Sequence, residues 1–218
     1  MRRFLSFTTA IAAAFTLSAC AGSEPARPDN PRLTKSISIS VGSNSTEQLV
    51  LGEIYSQAFA KMKRASSVSV DDRKDPGELP ELIMERKADF VVTCSGSALQ
   101  ALNPAQAKST LEGDRGDKNN PNDTAYDDRV VKAMQKALPP DVESGRSSSA
   151  KGCGGSKNDP RNVVPVYSSD LFDRGQKGYL EFVTTQITTD DLQKMAKEAE
   201  KSGSVREAVS AWAKEKRI

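Results

Sequence analysis

The sequence predicts an α/β fold of three layers, in which helices lie on the two faces of a central sheet. Buried-strand patterns at Ser36–Val41 and Ala88–Thr93 are each followed by a polar turn and then by a helical pattern. Shorter strand patterns at Val68–Val70 and Val163–Tyr167 complete the expected sheet. Strands that alternate with helices in this way are typical of α/β architecture.

The first segment, residues 1–19, is predicted to be an export signal that is not part of the fold. Two arginines precede the apolar run Phe4–Leu17, which is too short to span a bilayer comfortably. The run closes on the sequence LSAC, which looks like a bacterial lipobox and predicts cleavage before Cys20 and lipidation of that cysteine. The alternative is a plain signal peptide that happens to contain Cys20. Two or more acyl chains would anchor the mature protein outside the cytoplasmic membrane.

Folding is expected to begin near Ser36, after a flexible lipidated tether over residues 20–35. The tether is rich in Pro, Ser, Asn and charged residues and has few large apolar side chains, so it cannot form a core by itself. Residues 36–218 then form the folded domain, which is long enough for one domain or two small lobes. Within it, residues 103–161 are predicted to form a polar insert.

Charge and histidine content narrow the classes of function. The full chain carries a formal charge of +2, and removing the two arginines of the signal leaves a net charge of zero. The mature chain therefore has no excess of positive charge that would indicate a nucleic-acid partner. The sequence contains no histidine, which excludes a Ser–His–Asp triad, a Cys–His pair and a histidine-ligated zinc site. We expect no enzyme activity, no metal site and no cofactor.

The first helix is predicted to begin at Ser45, shortly after the first strand ends at Gly42. Ser45 is a typical N-cap residue, and Gln48 can return a hydrogen bond and complete a capping box. Backbone N–H groups, hydroxyls and one carboxylate then gather between strand and helix, an arrangement that suits a small polar ligand. The alternative is an ordinary βα turn, because capping serines are common wherever helices begin.

A second turn of the same kind follows the strand Ala88–Thr93. Here small hydroxyl residues precede a short helix that is expected at Ala98–Leu102. In open α/β sheets ligands gather beyond the carboxyl ends of neighbouring strands, so the two turns together predict a cleft. The candidate ligand-binding residues are Ser43, Asn44, Thr46 and Glu47 from the first turn and Ser95 and Ser97 from the second.

Further helices are expected along the chain. A short one begins at Pro80, because proline is favoured at the first helical position, and another crosses the insert at Asp127–Leu138. The C-terminal third is mostly helical, with one helix over Leu171–Val183, one capped by Thr189 and one that starts at Ser204.

The two cysteines outside the signal predict a disulfide. If Cys20 carries lipid, Cys94 and Cys153 remain as an even pair in a compartment where disulfides persist. A bond between them would hold the glycine-rich loop Gly152–Gly155 over the second turn. The alternative is two free thiols, whereas a redox enzyme is not expected because the chain has no C-x-x-C pair.

Two blocks of sequence resemble one known family. The stretch Val41–Tyr55 and the stretch Lys87–Leu99 look like the corresponding parts of substrate-binding proteins of osmoprotectant (glycine betaine, choline, carnitine) ABC transporters. The C-terminal stretches Asn162–Val166, Ile187–Leu192 and Val205–Trp212 also resemble the family. The resemblance covers the mature chain except for its middle.

The resemblance implies a lobe of the type II periplasmic-binding-protein fold and a role in solute binding. It implies an extracytoplasmic lipoprotein of an ABC importer, held at the cell membrane by its lipid anchor. The expected partners are a small quaternary-ammonium solute and the ABC permease subunits. The six candidate residues would hydrogen-bond the polar head of that solute, and Glu47 would face its cation.

Two departures from the family pattern change the expectation. The aromatic-cage tyrosine of the family falls on Cys94 here, so one wall of the cation cage is missing. The second lobe is reduced to one helix and the aperiodic stretches Leu111–Asp128 and Pro139–Arg161, which are predicted to be loops. We therefore expect a shallow cleft. The alternative function is a membrane-anchored interaction or assembly lipoprotein, derived from the family, that has lost ligand binding.

Overall fold

The structure, a computed structural model, describes residues 31–43, 45–112, 124–153 and 162–218. The predicted signal, the lipidation site Cys20 and the candidate ligand residue Asn44 lie outside these residues. A compact unit runs from Pro31 to Ile218 and so begins ahead of the predicted start at Ser36. None of the helices in the described part of the chain is long and apolar enough to cross a membrane.

The central sheet has five strands in the order β2-β1-β3-β5-β4. In chain order they are β1 Ile37–Gly42, β2 Ser66–Asp71, β3 Phe90–Cys94, β4 Val142–Ser144 and β5 Val163–Ser168. β1 pairs in parallel with β2 and β3, whereas β5 pairs antiparallel with β3 and β4. The four strands predicted from the sequence are present. β4 lies in a stretch predicted to be a loop, because three residues are too short to show the alternation that marks a strand.

Eight helices surround the sheet in the described residues. In chain order they are α1 Thr46–Lys61, α2 Pro80–Met84, α3 Ser95–Leu102, α4 Pro104–Leu111, α5 Ala125–Ala137, α6 Arg174–Gln186, α7 Thr189–Ser202 and α8 Val205–Lys216. A 3-10 turn at Pro76–Glu78 precedes α2.

Helices α3, α4 and α7 differ from the prediction for local reasons, and α6 begins at Arg174 and not at Leu171. α3 begins at Ser95 and not at Ala98, so the second turn is itself the first turn of the helix. α4 was not predicted, although Asn103 caps it by accepting a hydrogen bond from the Gln106 N–H. α7 is capped by Thr188, whose hydroxyl accepts from the Asp191 N–H, and not by Thr189.

Two hydrophobic cores lie on the two faces of the sheet. On one face, the β1 side chains Ile37, Ile39 and Val41 pack with α1 and with α6, α7 and α8. On the other face, Val91 and residues of β5 pack with α2, α3, α4 and α5. The insert therefore contributes two helices and a strand to the layers of the lobe itself, where the sequence predicted a loop–helix–loop cap.

The segment before β1 is held by one buried arginine. The Arg64 guanidinium donates to the carbonyl oxygens of Arg32 at 2.7 Å, Lys35 at 2.8 Å and Leu171 at 3.1 Å. Arg64 is only 4% exposed, and these carbonyls supply the polar partners that a buried guanidinium needs. Residues from Pro31 onward are thus packed against the domain.

Asp191 links the first turn of α7 to the end of α8, and this link predicts a pH dependence of stability. Burial alone would raise the pKa of Asp191, but hydrogen bonds from Thr188 at 2.8 Å and Lys216 at 3.0 Å lower it below 3.8. When folding lowers the pKa of a carboxyl group, ionisation of that group stabilises the folded state at pH values above its unfolded-state pKa. This stabilisation is lost as the pH falls through the folded-state pKa.

We therefore expect Asp191→Asn to lower the melting temperature at neutral pH and to match the wild type in strong acid. Thermal unfolding from pH 7 down to about pH 2 measures this convergence. Asp190→Asn is the matched control, because Asp190 is exposed in the same first turn and shares the helix dipole. If Asp191→Asn lowered the melting temperature equally at every pH, the ionisation of Asp191 would not contribute to the stability of the fold.

Candidate functional site

The N-terminus of α1 is built largely as the sequence predicts, with one difference. The Ser45 hydroxyl accepts a hydrogen bond from the Gln48 N–H at 3.3 Å. The Gln48 side chain does not return to the cap. Its carbonyl oxygen accepts from the Gly42 N–H at 3.4 Å, and its amide donates to Cys153 Sγ at 3.3 Å. Gln48 is completely buried, so it joins the end of β1 to the loop around Cys153.

A pocket of about 560 Å³ lies at this helix N-terminus. Its walls come from the first turn of α1 and from one side of α7, and its lining residues are Ser45, Thr46, Glu47, Gln193, Ala196, Lys197 and Glu200. The Thr46 hydroxyl donates to Glu200 Oε1 at 2.9 Å, which connects the two walls. The volume is in the range that small-molecule sites occupy, but the pocket is an open depression in which Gln193, Lys197 and Glu200 are exposed. The lining carries two carboxylates and one ammonium group, so it favours a cation.

The second turn is closed by its neighbours. Ser95 is completely buried, and its N–H donates to the Asn162 carbonyl at 3.0 Å. Ser97 is half-buried, and its backbone lies so close to Gly77 that a Cβ at position 77 would collide with it. The start of β5 and the 3-10 turn before α2 therefore occupy the space around these two serines.

The predicted disulfide between Cys94 and Cys153 is present, with the two Cα atoms 6.1 Å apart. It draws the neighbouring Gly152 into a narrow gap. A Cβ on Gly152 would lie 3.0 Å from both Val163 and Leu192 and 3.9 Å from the Glu47 carboxylate. Any side chain at position 152 would crowd Val163 and Leu192, which explains why this position is a glycine. Gly152 and Cys153 thus lie between the two turns, over the carboxyl end of β3.

The structure brings together only some of the candidate residues. Thr46 and Glu47 line one pocket, whereas Ser43 is exposed at the end of β1 and does not line it. Ser95 and Ser97 do not line this pocket. A ligand-binding role for each of the six residues remains a prediction.

A second polar pocket, of about 510 Å³, was not predicted from the sequence. The Lys151 ammonium donates to the Asp127 carboxylate and, at 2.8 Å, to Asn162 Oδ1. The Asn162 amide donates to the Ser148 carbonyl at 3.1 Å. The remaining lining residues are Thr124, Asp128, Val131, Arg146, Ser147, Ser149 and Thr185. The serine run Ser147–Ser149 in the insert was the one signal in the sequence for this pocket. The residues that complete the lining lie on other elements, so the sequence could not show that they come together.

Comparison with known proteins identifies the fold. No protein-family model matches the chain, and no curated protein matches it. Among solved structures, apo YehZ from Escherichia coli superposes with a TM-score of 0.58 at 11% identity, covering 82% of this chain and 98% of that chain. The chain has the type II periplasmic-binding-protein fold. Lactococcal OpuAC, in its closed conformation with glycine betaine, gives a TM-score of 0.45 at 10% identity, covering 84% and 97% of the two chains.

No aromatic side chain lines the pocket at α1 or the second polar pocket. Five of the aromatic side chains, those of Tyr55, Phe59, Phe90, Tyr167 and Phe172, belong to the buried core on the α1 face of the sheet. A cation in the pocket at α1 would therefore be held by carboxylates and hydroxyls rather than by an aromatic cage. Among the described residues, no group of three or more acidic residues or cysteines is placed to hold a metal ion.

Proposed function

We propose that the chain is an extracytoplasmic solute-binding lipoprotein of an ABC importer, and that its pocket at α1 takes a small quaternary-ammonium solute. One observation carries the proposal. Thr46 and Glu47, which were singled out from the sequence, line a pocket of suitable volume whose opposite wall supplies a second carboxylate, Glu200. The fold, the lipobox ending at Cys20 and the resemblance of the motifs to osmoprotectant-binding proteins support the rest of the proposal.

The charge of the pocket selects among the solutes of this class. Glu47 and Glu200 oppose a single ammonium group, that of Lys197, so the lining is acidic by one charge. Choline carries a net positive charge, whereas glycine betaine and carnitine are zwitterions, which have no net charge to complement the acidic lining. Opposite charges attract and like charges repel at short range. The pocket therefore favours choline over the zwitterions.

Glu47→Gln is expected to weaken choline binding by about tenfold, which corresponds to roughly 1.4 kcal/mol. The substitution keeps the shape of the side chain and removes the charge that faces the cation. Isothermal titration of the wild type and the variant with choline measures the change. If Glu47 served only the helix dipole, the variant would lose about 0.3–1 kcal/mol of stability and would bind choline as before.

Glu207→Gln is the matched control for this substitution. Glu207 lies in the first turn of α8, so it has the same relation to a helix dipole but does not line the pocket. Choline affinity should be unchanged in Glu207→Gln. Equal loss of affinity in both variants would indicate a general electrostatic effect and would contradict the assignment of Glu47.

A second candidate function is a membrane-anchored interaction or assembly lipoprotein that has lost ligand binding. The observation that favours it is the position of Gly152 and the disulfide-bonded Cys153, which lie over the carboxyl end of β3 and separate the two turns. Thermal shift assays discriminate the two candidates. A solute at a hundred times its dissociation constant stabilises a receptor by about 2.7 kcal/mol, whereas an interaction module shows no shift with any solute.

A further inference from the structure

The strand β2 is an edge of the sheet that lacks the usual protection. All six of its residues pair with β1, and it pairs with no other described strand. The strand is uncovered on both faces, because Ser67 to Val70 are all exposed, including Val68 at 39% and Val70 at 55%. Of its six residues only the last, Asp71, is charged, and that carboxylate is paired with Arg73 of the same copy; the strand has no proline and no break in the register, which are common ways to keep an edge from pairing.

The opposite edge shows how the same chain protects a strand. β4 has only three residues, carries the charged Glu143 and leads directly into Gly145. Short length and a charge on the strand both discourage edge pairing. The contrast makes the open side of β2 a specific feature of this part of the molecule.

We propose that β2 pairs antiparallel with β2 of a second copy of this chain and joins the two five-stranded sheets into one. In the register that suits the side chains, Ser69 lies opposite Ser69 and Val68 lies opposite Val70 of the other copy. Residues that are directly opposite point to the same face of a sheet, so both valine pairs come together. That face also carries α1, since a Cβ on Gly52 would lie 3.1 Å from Val68.

The charges beside β2 select the antiparallel arrangement. The strand follows the exposed Lys61 and Lys63 and ends in the segment 71–75, where three carboxylates outnumber the two cations, Arg73 and Lys74, by one. The Arg73 guanidinium that follows is already engaged within its own copy, since it pairs with Asp71 at 3.1 Å. An antiparallel pair places the basic end of each copy beside the acidic end of the other, whereas a parallel pair would place like charges together.

The interface is small, so the expected dimer is weak. A pair of edge strands buries less area than a standard protein–protein interface, and backbone hydrogen bonds provide much of its affinity. Such a contact is best detected by a covalent trap in the intact protein. The pairing of β2 does not depend on the proposed solute binding.

The test is disulfide trapping of the full chain in membranes, with a single cysteine added by Ser69→Cys. In the proposed register the two introduced thiols face each other, so mild oxidation should yield a dimer on a non-reducing gel that disappears on reduction. Ser67→Cys is the matched control on the same strand and face. The two copies of residue 67 would be offset by about 13 Å, which is beyond disulfide reach.

We expect at least about tenfold more cross-linked dimer from Ser69→Cys than from Ser67→Cys. Adding Val70→Lys to Ser69→Cys should abolish the dimer, because it places two ammonium groups in the valine contact. Phe182→Lys should leave it unchanged, since Phe182 is a similarly exposed apolar residue on α6, at 45% exposure. No dimer from Ser69→Cys, equal trapping at Ser67, or a dimer that survives Val70→Lys in a folded protein would each overturn the proposal.

Discussion

Replacing both Cys94 and Cys153 by serine is expected to lower the free energy of unfolding by roughly 4 kcal/mol. The disulfide joins residues that are 59 positions apart, and a cross-link over a loop of this length removes much of the freedom of the unfolded chain. Urea denaturation of the wild type and the double variant, under oxidising conditions, measures the difference.

The same experiment in reductant supplies the control. The reduced wild type should unfold at nearly the same urea concentration as the double variant, and reductant should leave the variant itself unchanged. A difference of less than about 1 kcal/mol between the oxidised wild type and the double variant would contradict a stabilising role for the bond.

Phe90→Ala is expected to lower the free energy of unfolding by about 3–5 kcal/mol, because it opens a cavity at the centre of the core on the α1 face of the sheet. The Phe90 ring is completely buried, and four aromatic rings surround it. The ring centroids lie at 4.8 Å for Tyr55, 5.1 Å for Phe59, 6.1 Å for Tyr167 and 6.3 Å for Phe172. Aromatic pairs in this range add stability beyond the area that they bury.

Phe182→Ala is the matched control for the loss of a phenyl ring. Phe182 is 45% exposed on α6, and a substitution there should change stability by only about 0.5 kcal/mol. Urea denaturation of both variants makes the comparison. Similar losses in the two would show that the aromatic cluster around Phe90 is not the centre of the core.

The parts of the fold that follow from local pattern were predicted well. β1 is visible in the sequence because Ile37, Ile39 and Val41 alternate with serines, and the structure buries all three. β3 is visible as a continuous β-branched and aromatic run, which fits a strand covered on both faces. The Ser45 cap follows from residue type, and the Cys94–Cys153 bond follows from the cysteine count once Cys20 is set aside as the expected lipidation site.

The parts that depend on distant residues could not be predicted. The hydroxyl of Thr46 meets Glu200 across 154 positions of sequence, so the second wall of the pocket has no local signal. β4 is paired with β5 by its neighbours and not by its own three residues. Gln48 is a further case, since its expected return to the cap is replaced by contacts with Gly42 and Cys153 that only the folded chain provides.

Isothermal titration of the mature chain against choline, glycine betaine, carnitine and proline betaine tests the central claim most directly. The protein should have Cys20 replaced and its disulfide intact, so that the pocket at α1 is measured without the lipid anchor. We predict measurable heat with choline and weaker binding of the three zwitterions, because Glu47 and Glu200 make the lining acidic. The absence of heat with all four solutes would contradict solute binding and would leave the anchored interaction lipoprotein as the function to pursue.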